Sequence, residues 1–276
     1  QLTVTFTTSD EELCPLSESS ILIQGTANEI KTGSITIQTS DDDIDAPNKK
    51  CSIHVTAKIE NFATFEELVV LTVKDNDVAG IHITSPSNKR TVVIKEGGTS
   101  FDYNVALTSQ PKDAAVVVEM KWGAADDRYA TDRITVQPTF LTFTRATWST
   151  PQQVRIQTVD DDIRFDATLY TLQHKPTSTE FGYNSITSFE NENIFCLVDD
   201  NDVPGITSND NGKTLKPGGK KEIQFHLNTH HKDSYARLVV AADIEHTEKE
   251  TLDHITISPE TITITQDNWT NSHNIA

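Results

Sequence analysis

Long apolar runs are missing from this chain: no stretch nears the roughly 18 consecutive apolar residues that a membrane-spanning helix needs. Basic residues are in short supply too. Lys and Arg total 23 against 41 Asp and Glu, a formal net charge of −18 over 276 residues. That balance excludes nucleic acid as a partner, because phosphate binding requires clustered cations. Cysteine occurs three times, too seldom for a disulfide scaffold. No convincing amphipathic helix is present; residues 61–68 have room for about one turn, but their flanks read as strand. The catalytic signatures are absent as well, with no G-x-S-x-G, no H-E-x-x-H and no phosphate-cradling glycine loop. The expectation is a protein that is not an enzyme.

What the chain does contain is repetition, with a spacing of about 121 residues. Thr139–Thr144 with Trp148 recurs as Glu260–Thr265 with Trp269, and Glu96-Gly97-Gly98 recurs as Pro217-Gly218-Gly219. Asp75-Asn76-Asp77 before Gly80-Ile81 recurs as Asp200-Asn201-Asp202 before Gly205-Ile206, and Asp41–Ile44 recurs as Asp160–Ile163. A fixed period of this kind means tandem copies of one fold. It divides the chain into a partial copy over 1–79, a complete copy over 80–205 and a second partial copy over 206–276. No Gly/Ser linker separates the copies, which favours a stiff rod over beads on a string.

Within each copy apolar and polar residues alternate with period two, as in 2–6, 34–38, 69–73, 91–95, 101–107, 154–158 and 255–257. Val, Ile, Thr and Phe fill these runs and turn residues separate them, the pattern of an antiparallel β-sandwich. The complete copy is predicted to hold strands near 80–85, 90–95, 100–107, 115–121, 134–144, 152–159, 168–174 and 193–199. The fold class is all-β: tandem Ig-like sandwiches placed end to end. Residues 2–6 align with about 116–120, so the first copy is expected to begin four strands into the fold, and the third to stop, over 268–276, just where the counterpart of strand 154–158 should follow. Each partial copy leaves an edge and an apolar face to be completed, either by adjacent sequence of a longer array or by strands donated from another copy.

The acids are bunched rather than spread. Like charges gathered this way repel unless a cation neutralises them, which favours divalent ions; equally, Asp and Asn are the natural residues of solvated turns. Glu96-Gly97-Gly98 after a short strand, Leu141–Thr144 with Trp148 and Pro151-Gln152, then Val159–Ile163 and the closing Val198–Asp202, together resemble the Calx-β repeat. That family is the Ig-like calcium-binding sandwich of sodium/calcium exchangers and of long extracellular adhesins, and the resemblance covers nearly the whole chain. It implies a calcium cluster at one tip, carried here by Glu96, Asp160, Asp161, Asp162, Asp199, Asp200 and Asp202, with Asp126, Asp127 and Asp166 as loop candidates. Calcium takes six to eight oxygens at about 2.3–2.6 Å, which carboxylate loops supply. The sequence departs from the pattern at Asp166, where the family carries a longer Glu nearby, and at Pro217, where the complete copy has Glu96. In the first copy Asp41–Asp43, Asp45, Asp75 and Asp77 make only part of such a site.

Other signals are weaker. Cys14 and Cys51 share the first copy and either pair, as an oxidising compartment favours, or lie as two buried thiols. Cys196, in the apolar run 194–198, reads as a buried free thiol. Asn268-Trp269-Thr270 is a sequon for N-glycosylation in a secreted chain. His226 and His230 would share a strand face roughly 13 Å apart, too far for one ion, so they and His231 read as surface residues. Trp148 and Trp269 read as caps on the sandwich rather than sugar-stacking platforms. The expected role is a structural segment of an extracellular or cell-surface stalk, adhesin or fibre, stiffened by calcium and joined head to tail with copies of itself or adjacent repeats. The alternative is an adhesin module that binds glycan or protein through its tip loops.

Overall fold

The computed structural model describes residues 2–24, 32–60, 62–86, 89–123, 133–208, 214, 216, 218–229, 236–240, 257–265, 268 and 273–275. The chain is all-β, and among the described residues it holds strands and two short 3-10 turns, Tyr183–Ser185 and Glu190–Glu192. The strands are β1 (Leu2–Thr8), β2 (Ser20–Ile23), β3 (Lys49–Ile59), β4 (Ala63–Val73), β5 (Ile81–Thr84), β6 (Thr91–Lys95), β7 (Phe101–Leu107), β8 (Val116–Trp122) and β9 (Ile134–Gln137). They continue as β10 (Phe140–Phe143), β11 (Gln152–Thr158), β12 (Thr168–Thr177), β13 (Ile194–Asp199), β14 (Ile206–Ser208), β15 (Ile223–Leu227), β16 (Ala236–Val239), β17 (Thr261–Ile264) and β18 (His273–Ile275).

Strands β5 to β13 build a sandwich from two sheets, ordered β10-β8-β12-β13-β6 and β5-β7-β11-β9. Every pairing is antiparallel except β6, which runs parallel to β13. Alternation sends one set of side chains inwards: Tyr103, Val105, Val154 and Ile156 from one sheet meet Val116, Val118, Leu141, Phe143, Tyr170, Leu172 and Ile194 from the other in one continuous core. Each fully buried Val or Leu there contributes about 1.5–3 kcal/mol. Cys196 lies in this core with its thiol fully buried, and burial pushes its pKa up to about 12. Trp148 packs against the same core, and its carbonyl accepts from Leu107 N–H at 2.9 Å.

The run 134–144, expected as one strand, is two. β9 belongs to the four-stranded sheet and β10 to the opposite one, and the chain crosses between them at the cis Gln137–Pro138 bond. Proline cannot donate to a ladder, so a sheet change is a natural place for it. Ser258–Pro259, at the matching place in the repeat, is also cis.

Residues before β5 form a single four-stranded sheet, β2-β1-β3-β4, the order of β10-β8-β12-β13. Strand β1 takes the place of β8, flanked in both sheets by the equivalent neighbours. A disulfide between Cys14 and Cys51 ties the loop after β1 to β3. The alternating run 34–38 does not become a strand; it makes one bridge, Leu16 to Ile37. Its counterpart β11 pairs on both sides, with β7 and β9, whereas 34–38 meets only the short segment at Leu16 and Ser17 that stands where β9 does, and among the described residues no counterpart of β7 lies on its other side. After the sandwich, β14-β15-β18 repeats the order of β5-β7-β11, and β16 pairs β17 as β8 pairs β10.

Candidate metal centre

One end of the sandwich gathers the ends of β6, β11 and β13. Ile94 points into the core, and period two along β6 carries Glu96 to the same side, leaving it 3% exposed. Its backbone N–H donates to Asp199 O at 2.9 Å, which fixes the end of β6 against the end of β13. Gly97 then turns the chain with φ of +59°, and a Cβ there would come within 2.5 Å of Asp160 Oδ1. Glycine is therefore required at this position on two counts: the left-handed backbone and the close approach.

Glu96, Asp161 and Asp202 converge, with one carboxylate oxygen from each lying within 4.8 Å of the others. Both carboxylate oxygens of Glu96, and Oδ2 of Asp202, are buried without a hydrogen-bond partner. Buried polar groups are ordinarily satisfied, so unsatisfied carboxylate oxygens gathered in this way are a feature that a cation could satisfy. Burial, then the charges of Asp200 and Asp161, raise the Glu96 pKa to about 7. Burial and the charges of Asp200 and Asp162 also raise that of Asp202.

The remaining predicted residues have varied placements. Asp160 is exposed, and its Oδ1 accepts from Asn201 Nδ2 at 3.2 Å. Asp162, Asp166 and Asp199 are exposed; the Asp166 carbonyl accepts from the Thr168 hydroxyl at 2.9 Å. Asp161 Oδ1 accepts from Ile163 N–H at 2.7 Å, and Asp200 Oδ1 from Asp202 N–H at 2.9 Å. These are local turn bonds, so the turn role of the acids is real and coexists with the convergence of Glu96, Asp161 and Asp202. Asp126 and Asp127 lie outside the described residues, as do His230, His231 and Trp269.

Asp200 is the surprise of the cluster. Its side chain is 1% exposed and is met by two arginines, Arg133 and Arg164, each at 3.6 Å. Sequence reasoning did not single out Arg133. It directly precedes β9, where Ile134 and Val136 point inwards, so simple alternation would send residue 133 outwards.

The first-copy acids repeat the turn geometry: Asp42 Oδ1 accepts from Ile44 N–H and Asp75 Oδ1 from Asp77 N–H, both at 2.9 Å. Burial, then Asp75, raises the Asp77 pKa. No residue of that set is both buried and unpartnered among the described residues. Asp45 is used otherwise, its carboxylate accepting from Ala79 N–H at 2.9 Å. Asn268 is half-buried; its Oδ1 accepts from Thr265 N–H at 2.6 Å and its Nδ2 donates to Thr263 O at 3.4 Å.

No family model and no curated protein matches the chain. Solved structures do align with it. The apo-form Calx CBD1 domain is 15% identical over 44% of this chain and 98% of its own, with a TM-score of 0.31. The periplasmic chaperone SfaE is 12% identical over 44% of this chain, with a TM-score of 0.31. Cadherin domains 1–4 of protocadherin gamma B7 are 9% identical over 98% of this chain, with a TM-score of 0.32. The chain spans 58% of the chaperone and 61% of the protocadherin fragment.

Proposed function

We propose that this chain is a structural segment of an extracellular repeat protein, a stalk, adhesin or fibre built from tandem copies over 1–79, 80–205 and 206–276, and stiffened by calcium. The observation that carries the reading is Glu96, buried with two unsatisfied carboxylate oxygens that face Asp161 and Asp202. Calcium is the cation that suits an all-oxygen set with flexible loops. Glu96, Asp161 and Asp202 would hold it, and the exposed Asp160 and Asp162 lie on the same loop to add oxygens. The ion would supply the charge that lets the ends of β6, β11 and β13 stay together. No helix of the described residues is long and apolar enough to cross a membrane, and the Cys14–Cys51 disulfide suits an oxidising, extracellular setting. The role is mechanical rather than catalytic, with copies of the chain or adjacent repeats joined head to tail.

Thermal unfolding of the full chain tests this. Millimolar calcium is expected to raise Tm by several degrees over the value in chelator, because a ligand that binds only the folded state stabilises it by mass action. Glu96→Gln is expected to lose most of that rise. An identical Tm with calcium and chelator in the wild-type chain rejects the reading.

A further inference from the structure

Beside the unsatisfied carboxylates lies a charge of the other sign, sealed in the same end of the sandwich. The Arg133 side chain is 2% exposed, and its Nη2 lies 3.6 Å from Asp200 Oδ2. Its Nη1 donates to the Tyr170 hydroxyl at 3.3 Å and to Thr168 Oγ1 at 3.5 Å. Its guanidinium carbon lies 4.0 Å from the centroid of the Phe165 ring. Four contacts, two of them from Nη1, hold this group in place, and a guanidinium does not give up its proton in a protein.

Asp200 is correspondingly well supplied. Besides Arg133 it has Arg164 at 3.6 Å, accepts from Phe165 N–H at 2.7 Å and from Asp202 N–H at 2.9 Å. Glu96 and Asp202, in the same cluster, keep unsatisfied oxygens. The acidic end therefore divides into a part neutralised from within the protein and a part left open.

We propose that Arg133 does at Asp200 what a second divalent cation would otherwise do, so that the Glu96–Asp161–Asp202 cluster takes one calcium ion and no more. A buried carboxylate without a counter-charge is costly, and either a metal or a guanidinium removes that cost. Arginine removes it permanently. The same residue holds the Asp200 end of the cluster together when calcium is withdrawn, so that only the Glu96 side responds to the ion. Arg133 is in this sense a positioning residue that sets the number of ions, and the inference rests on the calcium reading of the open part.

The test is to count calcium ions bound per full-length chain by equilibrium dialysis, in wild type, Arg133→Met, Arg133→Lys and Glu96→Gln. Ions held elsewhere contribute equally to all four and cancel in the differences. Arg133→Met is expected to bind one ion more than wild type and to need calcium to fold, while Arg133→Lys keeps the wild-type count. An Arg133→Met chain with the wild-type count, or one still unfolded at saturating calcium, overturns the inference, since calcium then does not replace the guanidinium. Glu96→Gln is expected to bind one ion fewer; an unchanged count there sinks the calcium reading itself, separately from the role of Arg133.

Discussion

A carboxyl group buried among other carboxylates keeps its proton to higher pH, and Glu96 is such a group. Burial raises its pKa to about 7, Asp200 and Asp161 add to the rise, and Arg133 together with the nearby Asn201 amide, outside hydrogen-bonding geometry, offsets part of it. Calcium must displace that proton, so its affinity is expected to weaken about tenfold between pH 8 and pH 6; titrations at the two pH values that give equal affinities would sink this assignment. Stability without calcium has the opposite sense from an ordinary ion-paired acid. The unfolded chain releases the Glu96 proton near 4.5 and the folded chain near 7. Between those values the folded state holds more protons, so stability falls as pH rises, by at most roughly 3 kcal/mol. His174 works the other way: burial lowers its pKa to about 4, so its share of stability is lost as pH falls from 6.5. Urea unfolding in chelator at pH 5 and pH 8, read as wild type minus Glu96→Gln, cancels His174 and isolates the Glu96 slope. At this scale the sequence was readable where a motif marks the residue, as with Glu96 before two glycines and Asp202 in the closing cluster. Arg133 has no such mark, because its burial comes from Tyr170, Phe165 and Asp200, which are far away in sequence.

Strands are local patterns, and most of those between Ile81 and Asp199 could be read from alternation to within about three residues at each end. The split of 134–144 was legible in principle. Ile134 and Val136 are the inward residues of β9, but Leu141 and Phe143 are those of β10, so the phase of the alternation shifts across Pro138. Which sheet each half joins is decided by partners elsewhere in the chain, and period two carries no such information. The same limit explains 34–38: alternation reports a strand-compatible segment, whereas a ladder needs a neighbour. Strand β4 poses the converse problem, since its outer edge carries no strand among the described residues, while the matching edge of β13 is covered by β6 in parallel. Phe65, Leu68, Val69 and Val70 on β4 are all exposed. An uncovered apolar edge templates further pairing, so sedimentation velocity is expected to show association that grows with concentration. Val70→Lys, a surface change of small cost to folding, is expected to suppress it. A strictly monomeric wild type, or a variant that associates equally, removes β4 as the joining edge.

At the scale of the whole molecule, the question is what holds one copy to the next. Between residues 1–79 and the sandwich, part of the answer needs no metal. Gln110 N–H donates to Asp43 O at 2.6 Å. Asp45 accepts from Ala79 N–H, and Gly182, with φ of +80°, packs so closely on Asp45 that a Cβ would come within 2.2 Å of its Oδ2. The Tyr183 hydroxyl bonds Ser109 and Gly80 behind this contact. The sequence hid this, because Asp45 belongs to an acidic cluster that reads as metal-binding, yet its carboxylate is spent on a backbone N–H at the boundary. The Glu96 cluster lies instead where the sandwich runs through Asp202 into β14, so calcium should act mainly on that second connection. Small-angle scattering separates the two. Chelator is expected to lower the radius of gyration of the wild-type chain, because a joint loosened after Asp202 lets an end-to-end rod bend. Asp45→Ala is expected to lower it with calcium present, and chelator to lower it further, because the two devices sit at different boundaries. If Asp45→Ala changes nothing while chelator alone produces the whole change, the first boundary is held by the acidic cluster and its counter-ions after all, and the Asp45 contact is incidental.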